Sequence, residues 1–75
     1  MMDKLSVYYT GNLYPLWAID NAREDYSDIC KIVIEEAPSG TSCTFYDSIA
    51  PLDLTAAEFS NYIIEMVNSR RNDSM

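Results

Sequence analysis

The stretch Thr55-Ala56-Ala57-Glu58-Phe59-Ser60-Asn61-Tyr62-Ile63-Ile64-Glu65-Met66-Val67-Asn68-Ser69-Arg70 carries the widest apolar stripe in the chain. At 100° per residue, Ala56, Phe59, Tyr62, Ile63, Met66 and Val67 fall together, and Glu58, Asn61, Glu65, Asn68 and Ser69 fall opposite. That spacing predicts an amphipathic helix onto which a small sheet packs. Thr55 followed by Glu58 reads as a capping box, each side chain accepting from the other's amide. Arg70 and Arg71 suit the carbonyl end of the helix dipole. The polar residues 70–75 are read as a fraying tail.

Working back from this helix, Asp47 to Leu54 is a loop containing Pro51. Before it, two alternating segments flank Ala37-Pro38-Ser39-Gly40, where Pro presets φ and Gly accepts a positive φ. In Ile29 to Glu36, Cys30, Ile32 and Ile34 share a face. In Thr41 to Tyr46, Cys43 and Phe45 do. The pair reads as a β-hairpin. Upstream, Pro15 opens a second helix at its first position, with Ile19, Ala22 and Tyr26 on one stripe and Ala18 on its shoulder. Lys4 to Tyr9 alternates as a half-buried strand, Leu5, Val7 and Tyr9 inward, Ser6 and Tyr8 outward.

The order β-α-β-β-α predicts one α+β domain over residues 1–75. A right-handed crossover makes the first two strands parallel, and the returning hairpin strand inserts between them. The expected sheet is three-stranded and antiparallel, order 1-3-2, with two helices on one face: a ferredoxin-like sandwich lacking its last strand. Its uncovered face carries Ser6, Tyr8, Lys31, Val33, Glu35, Ser42, Thr44 and Tyr46. The first strand presents an open edge, which a symmetric dimer would protect.

With 75 residues the core is thin, and a partner is one common remedy. Twelve acids against five bases give a net charge of −7, which repels phosphate backbones and anionic lipid. Neither nucleic acid nor membrane is therefore an expected partner. Met1-Met2-Asp3-Lys4-Leu5 lacks a basic flank and an apolar run, so no signal peptide is expected and the location is read as cytoplasmic. There Cys30 and Cys43 stay reduced. Both point to the covered face and read as inert core thiols.

The chain has no His, the usual general base near neutral pH. Neither a glycine-rich phosphate loop nor metal-ligand spacing occurs. The expectation is no enzyme, no cofactor and no metal. Tyr8, Trp17 and Tyr46 are the candidate partner-binding residues. Trp17 projects roughly 200° from Pro15, onto what should be the wet side of its helix. Either it folds back over Gly11-Asn12 or the strand end, or it is an exposed aromatic anchor of the kind that carries interface energy.

Leu13-Tyr14-Pro15-Leu16-Trp17-Ala18-Ile19-Asp20-Asn21-Ala22, running on to Tyr26, resembles the early LY-x-L-x-A-(I/V)-x-x-A region of HxsD proteins. Glu58-Phe59-Ser60-Asn61-Tyr62-Ile63-Ile64-Glu65 resembles the later helix of that family. Those are small partners in His-Xaa-Ser peptide-modification systems that also contain radical SAM enzymes. The resemblance implies a non-catalytic accessory protein that holds a peptide or a modifying enzyme, and it transfers no catalytic residue.

Three functions follow as alternatives. One is a binding module whose open edge recruits an extended, preferably basic peptide. Another is a self-assembling homodimer that consumes the same edge. The third, an enzyme built on Cys30 or Cys43, is the least supported.

Overall fold

A computed structural model describes residues 4–73. The elements follow in the order β1 (Lys4–Thr10), α1 (Leu16–Asp25), β2 (Lys31–Ala37), β3 (Gly40–Tyr46) and α2 (Leu52–Asp73). The sheet order is β1-β3-β2, and both pairings are antiparallel. Thus the α+β sandwich expected from the hydrophobic pattern is the one that forms.

The alternation along each strand sets the layers. Tyr9, Ile32, Cys43 and Phe45 are buried on one face, while Ser6, Tyr8, Lys31, Val33 and Glu35 lie exposed on the other. Ala18, Ile19 and Ala22 of α1 and Ala56, Phe59 and Ile63 of α2 complete the core. Phe59 is its hub. Its ring lies 5.1 Å from that of Phe45, 5.4 Å from Tyr26 and 6.2 Å from Tyr9, the first two edge-on, as ring quadrupoles favour.

Several boundaries differ from the sequence reading. α2 starts at Leu52, and the Thr55 amide already donates to the Pro51 carbonyl at 2.9 Å. Thr55 is therefore inside the helix and buried, and its hydroxyl meets Ser48 Oγ at 3.2 Å. The expected capping box does not form. Asp53 supplies the first-turn acid instead, and Asp47 turns the chain with a left-handed φ of 50°, which Asp tolerates. Pro15 is the N-cap of α1 rather than its first helical residue, with extended φ and ψ.

At the hairpin, only Pro38 and Ser39 intervene between Ala37 and Gly40. Among the described residues only Asp47 takes a left-handed φ, so Gly40 is not needed for backbone conformation. A Cβ there would collide with the Tyr9 carbonyl and would lie 2.7 Å from the Tyr8 hydroxyl. Gly40 is the place where β1 passes too close for a side chain. β2 begins two residues later than Ile29, because the Ile29 and Cys30 amides both bond the Tyr26 carbonyl in a turn.

α2 continues to Asp73, through residues that the sequence assigns to a polar tail. Ser74, Met75 and the N-terminal Met1-Met2-Asp3, on which the reading of no signal peptide partly rests, lie outside the described residues.

Candidate functional site

The free edge of β1 is defined by its phase. Gly11 donates its amide to the Ser39 carbonyl at 3.0 Å, one step beyond the Thr10–Gly40 pair. Hydrogen-bonded pairs alternate along an antiparallel ladder, so Leu5–Phe45, Val7–Cys43 and Tyr9–Thr41 are the bonded pairs. It follows that Ser6 and Tyr8 turn both N–H and C=O away from β3, toward the open side. Thr10 does the same with its N–H, but its carbonyl accepts from Tyr14 at 3.0 Å. A row of unpaired backbone groups of this kind is a template for another strand.

The opposite edge of the sheet, β2, is defended. It carries Lys31, Glu35 and Glu36, with Glu36 on the helix side of the sheet, and charges on an edge deter strand addition. Lys31 also pairs with Asp47 at 3.6 Å, both well exposed. β1 has a single charge, Lys4, at its end.

α2 flanks the β1 edge. The Tyr9 hydroxyl meets Ser60 Oγ at 2.8 Å, and Ser60 in turn donates to the Ala56 carbonyl at 2.9 Å. Ser60 therefore marks the side of α2 that looks over β1. Tyr62 donates to the Asp25 carboxylate and so marks the side facing α1. That bond to a carboxylate pushes the Tyr62 hydroxyl pKa up, with desolvation adding to it. Helical spacing places Ala57 and Ile64 beside Ser60, with Asp53 one turn before Ala57 on the same line. Ala57, Ser60 and Ile64 are uncharged, and Ile64 is only half-buried.

The three aromatic candidates do not converge. Tyr8 stays 49% exposed on the open sheet face, its hydroxyl 2.7 Å from Ser39 Oγ. Tyr46, half-buried on the same face, stands between Lys4 and Lys31 in the register. Tyr8 pairs with Ser42, four residues along β3 from Tyr46, which is roughly 13 Å at strand rise. Trp17 belongs to the helix layer. It is 37% exposed, and the Arg70 guanidinium stacks 4.5 Å above its ring. Its partner is thus the far end of α2, which neither reading of the isolated helix anticipated.

The nucleophiles are poorly set for chemistry. Cys30 and Cys43 are free and buried. Burial pushes the Cys43 thiol up to about 11, against a smaller opposing pull from Arg23. Cys30 Sγ donates to the carbonyls of Lys31 at 3.3 Å and Tyr46 at 3.4 Å. Cys43 pairs with Ile34, four residues from Cys30, so the thiols stand roughly 13 Å apart along the strand direction. Among the described residues, no group of three His, Cys, Asp or Glu could hold a metal ion, and no helix is long and apolar enough to cross a membrane. A shallow groove of about 460 Å³ runs along α2 between Tyr62 and Arg70, lined also by Glu65, Met66 and Ser69.

The open strand was legible in the sequence, but its phase and the uncharged stretch of α2 at Ala57, Ser60 and Ile64 were not read from it. A helical wheel of residues 57–64 contains the second; the first depends on strand register. Set against protein-family models, curated proteins and solved structures, the chain matches none.

Proposed function

We propose that this protein is a small non-catalytic binding module that receives an extended segment as a fourth strand beside β1. One observation carries the reading: Ser6 and Tyr8 direct their backbone N–H and C=O groups to the open side of an edge with only one, terminal charge. Strand addition draws affinity from main-chain hydrogen bonds and specificity from alternate side chains. Here the added strand's alternate side chains meet the half-buried Leu5 and Val7 on the helix side, and Ser6 and Tyr8 on the other.

The non-catalytic part rests on the groups present. The chain has no His, and a thiol raised to about 11 carries little thiolate near neutral pH. Two buried free cysteines suit a reducing, cytoplasmic setting. With the resemblance to HxsD proteins, the reading becomes an accessory to peptide modification, which holds either the peptide or the modifying enzyme. Tyr46 and Trp17 lie outside the edge, so they contribute only if the partner extends beyond the added strand.

Hydrogen exchange on isotope-labelled protein tests this reading, alone and with a panel of extended basic peptides of alternating apolar residues. Slowed exchange at the Ser6, Tyr8 and Thr10 amides, removed by Ser6→Pro, is the expected result. Proline at position 6 deletes an N–H that β3 does not use, so it blocks the edge while sparing the sheet's own ladder. Free exchange of those amides in every sample sinks the reading.

A further inference from the structure

We infer that the strand received by β1 in the pure protein is β1 of a second copy, which gives a two-fold dimer with a continuous six-stranded sheet. This names the occupant of the edge and rests on the reading above.

The phase of β1 suits self-pairing. A two-fold axis at Val7 sets Ser6 opposite Tyr8 of the second copy, and Lys4 opposite Thr10. Both pairs are made of residues whose backbone groups face the open side. Ser6 and Tyr8 then exchange N–H···O=C bonds in both directions, and the Thr10 N–H reaches the Lys4 carbonyl. The Thr10 carbonyl stays with Tyr14.

The side chains agree with that register. On the helix side Val7 meets Val7 and Leu5 meets Tyr9; on the open face Ser6 meets Tyr8 and Lys4 meets Thr10. No like charges oppose one another, which cross-strand pairing requires. The same operation on β2, about Ile34, sets Glu36 opposite Ile32 on the helix side and encloses its carboxylate without a partner.

The two-fold axis also brings α2 alongside α2 of the second copy, because both helix layers lie on the same side of the joined sheet. The surfaces that meet are the flanks bearing Asp53, Ala57, Ser60 and Ile64, marked by the Tyr9–Ser60 bond as the side toward β1. Small residues there let the helices approach. In a chain of net charge −7, Ala57, Ser60 and Ile64 on this flank are uncharged and Asp53 is its one acid, whereas Glu58 and Glu65 turn toward α1, where they add to the desolvation that raises the Tyr26 hydroxyl pKa. Two such acidic molecules meet with least repulsion on the flank that carries a single acid.

Light scattering across a dilution series, on the wild type and on Ser6→Pro and Ala57→Glu, tests the inference. Ala57 is exposed and Glu is a good helix former, so this second variant keeps the fold if the first does not. The wild type is expected at twice the 8.5 kDa chain mass at micromolar concentration. Each variant should raise the dissociation constant at least about tenfold, a change of about 1.4 kcal/mol. A wild-type monomer throughout the series overturns the inference but leaves the proposed function standing, provided that peptides still protect the β1 amides. A dimer indifferent to both substitutions uses another surface and also overturns it.

Discussion

Replacing Gly40 with Ala adds one carbon against the Tyr9 carbonyl and the Tyr8 ring. Gly→Ala at an ordinary φ stabilises by about 0.4–1 kcal/mol through the unfolded chain. Here the added carbon must move β1, and overpacking of this kind costs about 1–3 kcal/mol or more. Gly40→Ala should therefore lower the urea midpoint, and a raised midpoint would mean that β1 yields easily. Tyr9 and Cys43 set a second expectation. Desolvation raises the Tyr9 phenol from 10.0 to about 12 and the Cys43 thiol from 9.0 to about 11. Both ionise first in the unfolded chain, so their contribution to stability is constant below about pH 9 and is lost as pH rises through the folded values. Each group steepens the fall by up to about 1.4 kcal/mol per pH unit within its own window. Chemical denaturation between pH 8 and 12 checks this, and Cys43→Ala should delay the onset. A wild-type curve flat to pH 11 would show that neither group is held neutral by burial.

α2 shows what periodicity reveals and what it conceals. The stripe of Ala56, Phe59 and Ile63 was legible because 3.6-residue spacing survives wherever a helix starts. Its start was not. Thr55 and Glu58 fit the capping-box pattern, yet the Pro51 carbonyl takes the Thr55 amide, so the helix is already a turn long there. Local pattern loses to a preceding loop whose own bonds, such as Ala50 to Ser48 Oγ at 3.2 Å, are invisible in sequence. Glu58→Ala should then change stability by no more than about 0.5 kcal/mol, as for surface positions generally. Thr55→Ala should cost about 1 kcal/mol, through the lost hydroxyl contact to Ser48. The reverse ranking, read from thermal melts, would restore the capping box. Trp17 was ambiguous for a related reason: its partner Arg70 is 53 positions away, and only the packing of α1 along α2 joins them.

At the scale of the whole molecule, element order and strand alternation were enough to place three strands as β1-β3-β2, since few topologies satisfy a right-handed crossover followed by a hairpin. The edge as a feature followed directly from that order. What the edge can bind did not, because a shift of one residue in register would turn the Ser6 and Tyr8 backbone groups inward toward β3. Charge provides the remaining test at this scale. Two copies carrying −7 each repel across distances set by a molecule 47 Å in its longest dimension. Raising salt from 10 mM to 1 M shortens the screening length from about 30 to about 3 Å. A dimer joined by backbone hydrogen bonds and a helix flank without ion pairs loses little attraction under screening but is relieved of most of that repulsion. Its dissociation constant should fall several-fold with added salt, as measured by sedimentation equilibrium. An assembly held by ion pairs, for example through Lys4, Lys31 or Arg70, would weaken over the same range and point to a different face of the molecule.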